Sequence, residues 1–439
     1  MAEFDSRGLP ISTGSTQAAR SYRDGVDLML SAWPGAEDAL RQAIDHDPQF
    51  ALAHAALARL HAIKGEPADA RASIATAQET VARNGTSREM CHVSVLAHAV
   101  TGQSVMALKS ALAHLEQWPR DVLILSLPLG AFGLFAFSGM VDHDQARVDL
   151  CEKVSDSYDA EDWWFLTYRG WSHAENGSVA KGRDLAQRGL EQRRANANAA
   201  HAVAHAMFEQ GATQEAETLI EGWLPEYDRA GMLHGHLAWH AALSALERDD
   251  PQHALGIYSK HVRPSVSLSL PINVVSDAVS LLWRLQAYGY DVPSGLWDEA
   301  ERYAGAKYTK PGLAFVEIHM ALLAAATGRH VAAADRIDAN AKRIAEGALP
   351  AGPVVPAIGR AALAFANADY AECLRILEPV ASDVARVGGS GAQRQLIEDM
   401  LLLCLIRSGA SAKARDLLDR RLHRRPSLRD VRWRDHIEF

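Results

Sequence analysis

The sequence predicts an all-α fold, a right-handed superhelix of stacked helix hairpins, and three observations carry the prediction. Strand signals are nearly absent. Segments of about 12 to 18 residues with apolar positions at i, i+3, i+4 and i+7 recur along the whole chain. Short Gly, Asp or Pro punctuation separates them, so that one helix of each pair follows the other after a tight turn.

Taken in order, residues 1–20, beginning MAEFDSRGLPISTGS, are expected as an extended N-terminal segment. They have neither a basic start nor an apolar run, so no secretion signal is expected. FALAHAALARLHAIKGEPADARASIATAQETVAR then shows the repeating unit: a helix of small residues, a KGEP turn and a second amphipathic helix. The same grammar returns in REMCHVSVLAHAVTGQSVMALKSALAHLEQWP, WWFLTYRGWSHAENGSVAKGRDLAQRGLEQRR, AAHAVAHAMFEQGATQEAETLIEGWLPEY and LHGHLAWHAALSALERDDPQHALGIYSKHV. It continues through SDAVSLLWRLQAYG, FVEIHMALLAAATGRHVAAADRIDANAKRI and GRAALAFANADYAECLRILEPVAS to QRQLIEDMLLLCLIRSGASAKARDLLDRRLHRRP. Successive first helices start about 34 to 42 residues apart, the tetratricopeptide-like range. One hairpin cannot bury its apolar face alone, so neighbours must stack, with first helices side by side on the concave wall. Residues 1–439 are therefore expected as a single solenoid, with 425–439 as a C-terminal tail.

Composition narrows the function classes. The chain has 439 residues, 48% of them hydrophobic, enough for a substantial core. Lys and Arg total 45 against 54 for Asp and Glu, a formal charge of −9, which is a poor nucleic-acid profile. The exception is the arginine-rich end LLDRRLHRRPSLRDVRWRD, expected as a solvated face of a terminal helix. Cys91, Cys151, Cys373 and Cys404 lie far apart without a CxxC and are expected as reduced core thiols. The longest apolar stretch, VLILSLPLGAFGLFAF, is broken by Pro128, Gly130 and Gly133, so no bilayer crossing of roughly 18 residues is expected. A cytoplasmic protein without nucleic-acid or membrane partners is the expectation.

Two HxxxH pairs are the centre of chemical interest. His201 and His205, then His236 and His240, fall on first helices of consecutive units. Side chains four apart share one helix face, about 5 to 6 Å from each other, so four imidazoles can meet on one patch. Three readings remain open: histidines that simply pack, a polar ligand-binding or catalytic surface, and a metal site. A divalent metal such as zinc would take four such ligands, yet it is not favoured, because HExxH is missing: Ala202 and Leu237 stand where the glutamate belongs. Asp277, on the next first helix, is placed to orient an imidazole from the preceding one. His201, His205, His236, His240 and Asp277 are thus the catalytic candidates.

Other residues are candidates for contact with a ligand. Trp163, Trp164, Tyr168 and Trp171 form an aromatic run at helical spacing. It reads either as core or as a stacking wall for a planar ligand, and Trp239 and Trp283 extend it. Glu317 and His319 add polar groups on a further first helix. Arg284, between Leu282 and Leu285, is expected as a structural ion-pair donor. GGSGAQRQL, residues 388–396, opens a helix without the GK[ST] of a phosphate loop and reads as a tight connection capped by Ser390.

These motifs, from LPIST through HVSVLAHAVTG, HAVAH, HLAWHAAL, SDAVSLLWRL and the His319 helix to GGSGAQR, stand in an order that resembles the tetratricopeptide repeat protein 38 family over nearly the full length. The resemblance implies an all-helical superhelix with His92 joined to the four histidines, Trp239, Asp277, Arg284 and His319 as shared positions. It carries over no reaction. It also marks a departure: Pro128, Leu129 and Gly130 stand where related sequences carry a polar Ser-His-Asp triplet. The expected function is a solenoid that binds a small molecule or short peptide in a concave pocket. His92, Trp164, Tyr168, Trp239, Trp283, Glu317 and His319 are the contact residues there. The alternatives are an enzyme in the same pocket, with a histidine base oriented by Asp277 and possible metal assistance, or a scaffold for partner proteins.

Overall fold

The computed structural model describes residues 2–437. Strands β1 (Glu3–Phe4) and β2 (Pro10–Ile11) pair antiparallel, and the other regular elements of the described residues are helical. In order these are α1 (Thr16–Leu30), α2 (Ala36–His46), α3 (Ala51–Lys64), α4 (Pro67–Asn84), α5 (Ser87–Val100), α6 (Ser104–Gln117), α7 (Val122–Leu129) and α8 (His143–Val154). There follow α9 (Trp163–Glu175), α10 (Val179–Gln192), α11 (Ala197–Glu209), α12 (Thr213–Trp223), α13 (His234–Glu247), α14 (Pro251–Ile257), α15 (Pro271–Ala287) and α16 (Ser294–Lys307). The last are α17 (Ala314–Ala326), α18 (His330–Ala345), α19 (Val354–Ala366), α20 (Tyr370–Leu377), α21 (Gly391–Arg407), α22 (Ser411–Arg424) and α23 (Leu428–Asp435). The fold class is all-α, as the sequence predicts.

A repeated device sets the hairpins. Most first helices end at a residue with positive φ, most often glycine: Gly65, Gly102, Gly177, Gly211, Gly289, Gly328 and Gly409 have φ between 69° and 95°. The left-handed turn satisfies the last carbonyls and reverses the chain, and a glycine adopts it without steric cost. After α13 and α19 the same position is held by Asp249 and Ala368, at φ 68° and 57°.

Contacts divide the chain into two compact units, where the sequence suggests one solenoid. The first comprises Met1–Phe135, Ala146–Arg169 and Leu185–Ala199; the second Ala136–Gln145, Gly170–Asp184 and Ala200–Phe439. In the first unit the extended segment is shorter than expected, because Ser15 caps α1 by accepting from the Ala18 N–H at 3.2 Å. The segment is also pinned: Arg88 donates to the Pro10 carbonyl at 2.9 Å, and Thr13 Oγ1 donates to Asp47 at 2.6 Å. Buried Asp121 gathers Arg88 at 2.7 Å, His92 Nδ1 at 2.9 Å and His114 Nε2 at 3.0 Å. Those partners hold its carboxyl well below the ordinary value although burial acts to raise it.

In the second unit the arginine-rich end corrects the expectation of a solvated face, and residues 425–437 pack around α23 in place of the expected tail, residues 438–439 lying outside the described residues. Arg421, Arg425 and Arg429 recur at spacing four and turn inward together, each under one-tenth exposed. Arg421 meets Asp399 and Asp430 at 2.8 Å each, while Glu247 takes Arg429 at 2.9 Å and Arg425 at 3.2 Å. The side-chain oxygen of Gln395 accepts from all three guanidinium groups at 2.9 to 3.0 Å. The sequence shows the cations but not the acids, which come from distant helices. Burial acts to raise Glu247, yet Arg429 and Arg425 outweigh it and hold its pKa at about 2. Removing one member leaves uncompensated charge in the interior, so Glu247→Gln is expected to cost about 3 to 5 kcal/mol in urea denaturation. Asp419→Asn, which breaks the exposed pair with Arg434, should cost under about 1 kcal/mol. Equal losses from the two variants would refute a structural role for the buried cluster.

Candidate metal centre

Residues of the second unit on four successive first helices, α9 from Gly170, α11 from Ala200, α13 and α15, build one polar cluster. Alanine at most other positions of α11, ANAAHAVAHAMFE, keeps its surface thin, and His201 and His205 project from it one turn apart. Every residue of α13, HGHLAWHAALSALE, is buried, which brings His236 and His240 against the α11 pair. A carboxylate flanks the histidines on each side, Glu175 at the end of α9 and Asp277 in α15.

The ring nitrogens converge. His201 Nε2 lies 3.1 Å from His236 Nε2 and 3.2 Å from His240 Nε2. One ring nitrogen from each of the four histidines falls within 4.8 Å of all the others. His236 Nδ1 donates to Asp277 at 2.9 and 3.0 Å, which leaves its Nε2 as a lone pair facing His201. His205 Nδ1 lies 3.0 Å from Glu175 Oε1, while Glu175 Oε2 accepts from the Gly391 N–H at 2.7 Å. Both ring nitrogens of His205, Glu175 Oε1 and His240 Nδ1 are buried without a hydrogen-bond partner among the described residues, so His205 and Glu175 approach at ion-pair distance without a well-aligned hydrogen bond.

Neutral imidazoles alone do not satisfy this arrangement. His201 Nε2 holds at most one proton, so of its two short contacts only one is a good hydrogen bond. Protonating the cluster is opposed: burial, with the neighbouring imidazoles, holds His201 and His240 well below the ordinary histidine value. A cation accepted by all the lone pairs resolves the conflict. For a tetrahedral ion with metal–nitrogen bonds of about 2.0 to 2.1 Å, ligand nitrogens stand about 3.3 to 3.4 Å apart, close to the spacing found. Imidazoles whose far nitrogen meets a carboxylate are the usual form of a histidine ligand.

Burial shifts the two carboxylates differently. It acts to raise both, and His205 outweighs it at Glu175, whose carboxyl sits below the ordinary value. At Asp277 burial prevails over the pull of His236, and the carboxyl sits above the ordinary value.

Aromatic rings close the cluster. Trp171 lies nearly parallel to His201 at 5.3 Å and edge-on to His205 at 4.7 Å. Trp239 stacks on His236 at 5.3 Å, and its indole N–H donates to Ser280 at 3.1 Å.

The remaining sequence candidates do other work. His92 belongs to the Asp121 network of the first unit. Trp164 is fully buried there against the half-buried Tyr168 at 5.0 Å, so Trp164 is core. Trp283 packs on Phe365 at 5.4 Å. Glu317 receives Arg336 at 2.8 Å and Asn340 at 2.9 Å, a structural ion pair. His319 is buried, its Nδ1 bonded to the Phe315 carbonyl at 2.7 Å. Arg284 donates to the Ala392 carbonyl at 2.8 Å. The expectation of a His/Trp-lined pocket therefore gives way: the rings face each other, with His201 the most exposed at 9%.

Sequence reasoning passed over Glu175 and did not select Trp171. Both were signalled by position, since they sit four apart on the first helix preceding the HAVAH helix, the mirror of Asp277 on the helix following HLAWHAAL. Ser390 caps α21, as the GGSGAQR reading expects, in a reciprocal capping box with Gln393. The adjacent Gly391 amide does receive an anion, the Glu175 carboxylate.

No family model matches the chain. Among solved structures it is similar to a monomeric IFIT1 mutant with Gppp-AAAA, at 14% identity over 94% of this chain and 88% of that one, with a TM-score of 0.42. It is similar to Naa15/Naa10 bound to HypK-THB at 14% identity, covering 94% and 64%, TM-score 0.21. It is also similar to the TPR domain of P58(IPK) at 12% identity, covering 92% and 89%, TM-score 0.23.

Outside the cluster, buried His319 makes the second unit acid-sensitive in a defined window. Burial, against the Phe315 hydrogen bond, pushes His319 from an ordinary value of 6.5 down to about 4. The folded form binds its proton less readily than the unfolded chain, so the stability linked to His319 is complete above about pH 6.5 and is lost as pH falls toward 4. Between these limits His319→Asn is expected to lose about 3 kcal/mol less than the unaltered protein in urea titrations. Parallel pH profiles would show that His319 carries no such linkage.

Proposed function

We propose that the protein is a metalloprotein whose second unit holds one divalent transition-metal ion on buried imidazoles. The observation that carries this reading is the short contact of His201 Nε2 with both His236 Nε2 and His240 Nε2, at 3.1 and 3.2 Å. An all-nitrogen ligand set suits zinc and the borderline ions of iron, copper and nickel over magnesium or calcium. Neutral imidazoles leave the ion's two positive charges uncompensated in the first sphere. Asp277 and Glu175, one imidazole further out, supply two negative charges and bring the centre to neutrality. His205 completes the set as fourth ligand.

A second reading has its own support. His205 Nε2 makes neither of the short contacts that join the other three rings, and it lacks any hydrogen-bond partner. On that reading His201, His236 and His240 would hold the ion, which would supply Lewis acidity, and His205, with Glu175 behind it, would stand as a general base beside it. This is a metal-assisted enzyme, with Asp277 orienting the ligand His236 and not the base.

Elemental analysis of the purified protein is expected to find one ion per chain, and Co(II) added after chelator treatment to give visible ligand-field bands. His236→Ala should abolish binding, and Asp277→Asn should weaken it about 10- to 100-fold. His205→Ala separates the readings: a loss as deep as that of His236→Ala marks a fourth ligand, and near-normal Co(II) affinity with altered bands marks an open position. Failure of zinc, Co(II), copper and nickel alike to bind would refute the metal centre.

A further inference from the structure

Arg59 stands on α3 in the first unit, and among the described residues no carboxylate meets its guanidinium. Its hydrogen bond runs to a neutral group: Nη2 donates to Ser126 Oγ of α7 at 3.3 Å. The Ser126 hydroxyl gives its own proton to the Leu123 carbonyl at 2.7 Å, so toward Arg59 it can only accept. Tyr168 of α9 lies near enough to act on the guanidinium charge. Helices α3, α7 and α9 are all first helices of their hairpins, the helices that form the inner, ligand-facing wall of such a stack. The other buried arginines of the α3 side of the molecule are treated differently. Arg7 meets Asp27 and Asp162 at 3.2 Å each, and Arg88 meets Asp121 at 2.7 Å.

The surroundings of Arg59 form a recess. Its side chain is only half-buried, yet burial pushes the guanidinium down from 12.5 to about 10, against the opposite pull of Tyr168. A cation crowded by protein on that scale while part of it still meets solvent lies in a concavity, and holding it there without a counter-charge is costly. One turn to either side, α3 carries Ala55, Ala56, Ala62 and Ile63, none of them charged.

The donors left over define the ligand. Nε and Nη1 make no hydrogen bond among the described residues, and Ser126 takes only one of the two hydrogens on Nη2. One two-donor edge of the planar fork is therefore complete, and such an edge matches the two oxygens of a carboxylate or a phosphate. Charge decides between them. A phosphate ester carries about −1.5 to −2, whereas a carboxylate carries the single charge that one guanidinium balances.

We propose that Arg59, held by Ser126 and flanked by Tyr168, is a binding site for a small organic carboxylate. The site does not depend on the metal reading, because all three residues belong to the first unit.

The test is fluorine NMR titration of the full chain with para-fluorobenzoate, para-fluorobenzamide and para-fluorophenyl phosphate. The benzoate is expected to bind one per chain, at least about tenfold tighter than the amide, the difference a charged hydrogen bond makes. Arg59→Met should bring the benzoate down to the affinity of the amide and leave the amide unchanged. Because this variant removes a charge that lacks a counter-ion, its Tm is expected to hold or rise. Arg59→Lys keeps the charge without the fork and should bind the benzoate with intermediate affinity. Equal binding of benzoate and amide, no saturable binding of the benzoate, tighter binding of the phosphate ester, or full affinity in folded Arg59→Met or Arg59→Lys would each overturn the proposal. Metal content, measured on the same samples, should not follow any of these changes.

Discussion

The second unit is organised by where its buried imidazoles send their lone pairs. A neutral imidazole carries one donor and one acceptor, and packing four of them within a few ångströms creates more acceptors than donors once Asp277 has fixed a proton on the δ nitrogen of His236. Each buried polar atom left unmatched costs about 1 to 3 kcal/mol. A cluster of this kind is unfavourable in isolation, and α13, buried along its whole length, is not shaped to admit water to relieve it. A cation offsets the deficit at a single point. Structural metal binding contributes about 10 kcal/mol or more, well above the sum of the unmatched groups.

The hairpin array supplies the geometry. Spacing of four along a helix aligns two rings, and close packing of alanine-rich first helices brings the second pair within reach. The carboxylates come from the first helices on either side, α9 and α15, and the opening turn of α21 braces both. Its Gly391 N–H holds Glu175, and its Ala392 carbonyl accepts Arg284 of α15, whose guanidinium lies 5.7 Å over the Trp239 ring. Glycine is required just before this turn. Gly389 has φ of 78°, and a Cβ there would meet the Phe315 ring at 2.5 Å. The glycine-rich connection is thus a brace on the acids that orient the histidines, which explains why it lies so far along the chain from them.

Much of this was legible in the sequence, and the limits have physical causes. Helix period and left-handed glycines define the hairpins because both are local. The two HxxxH pairs and Asp277 were visible because each obeys the same helical spacing on consecutive first helices. Glu175 was not, since in WSHAENG it reads as the end of a helix and nothing local tells a carboxylate that meets His205 from one that meets water. The arginines of the C-terminal stretch failed for the complementary reason: their spacing of four shows a shared face, but only the distant acids Glu247 and Asp399 decide that the face turns inward. Trp164 misled because an aromatic stripe has the same period whether it lines a groove or fills a core.

Glu175 belongs both to the histidine cluster and to the wall of a cavity of about 430 Å³ between α20, α21 and α22, and its electrostatics explain how the two coexist. One oxygen faces His205, and the other receives the N–H at the start of α21, where the helix dipole places partial positive charge. The carboxylate is therefore compensated from two directions where it meets the cavity wall. It also lies a full imidazole away from the point where the ring nitrogens converge.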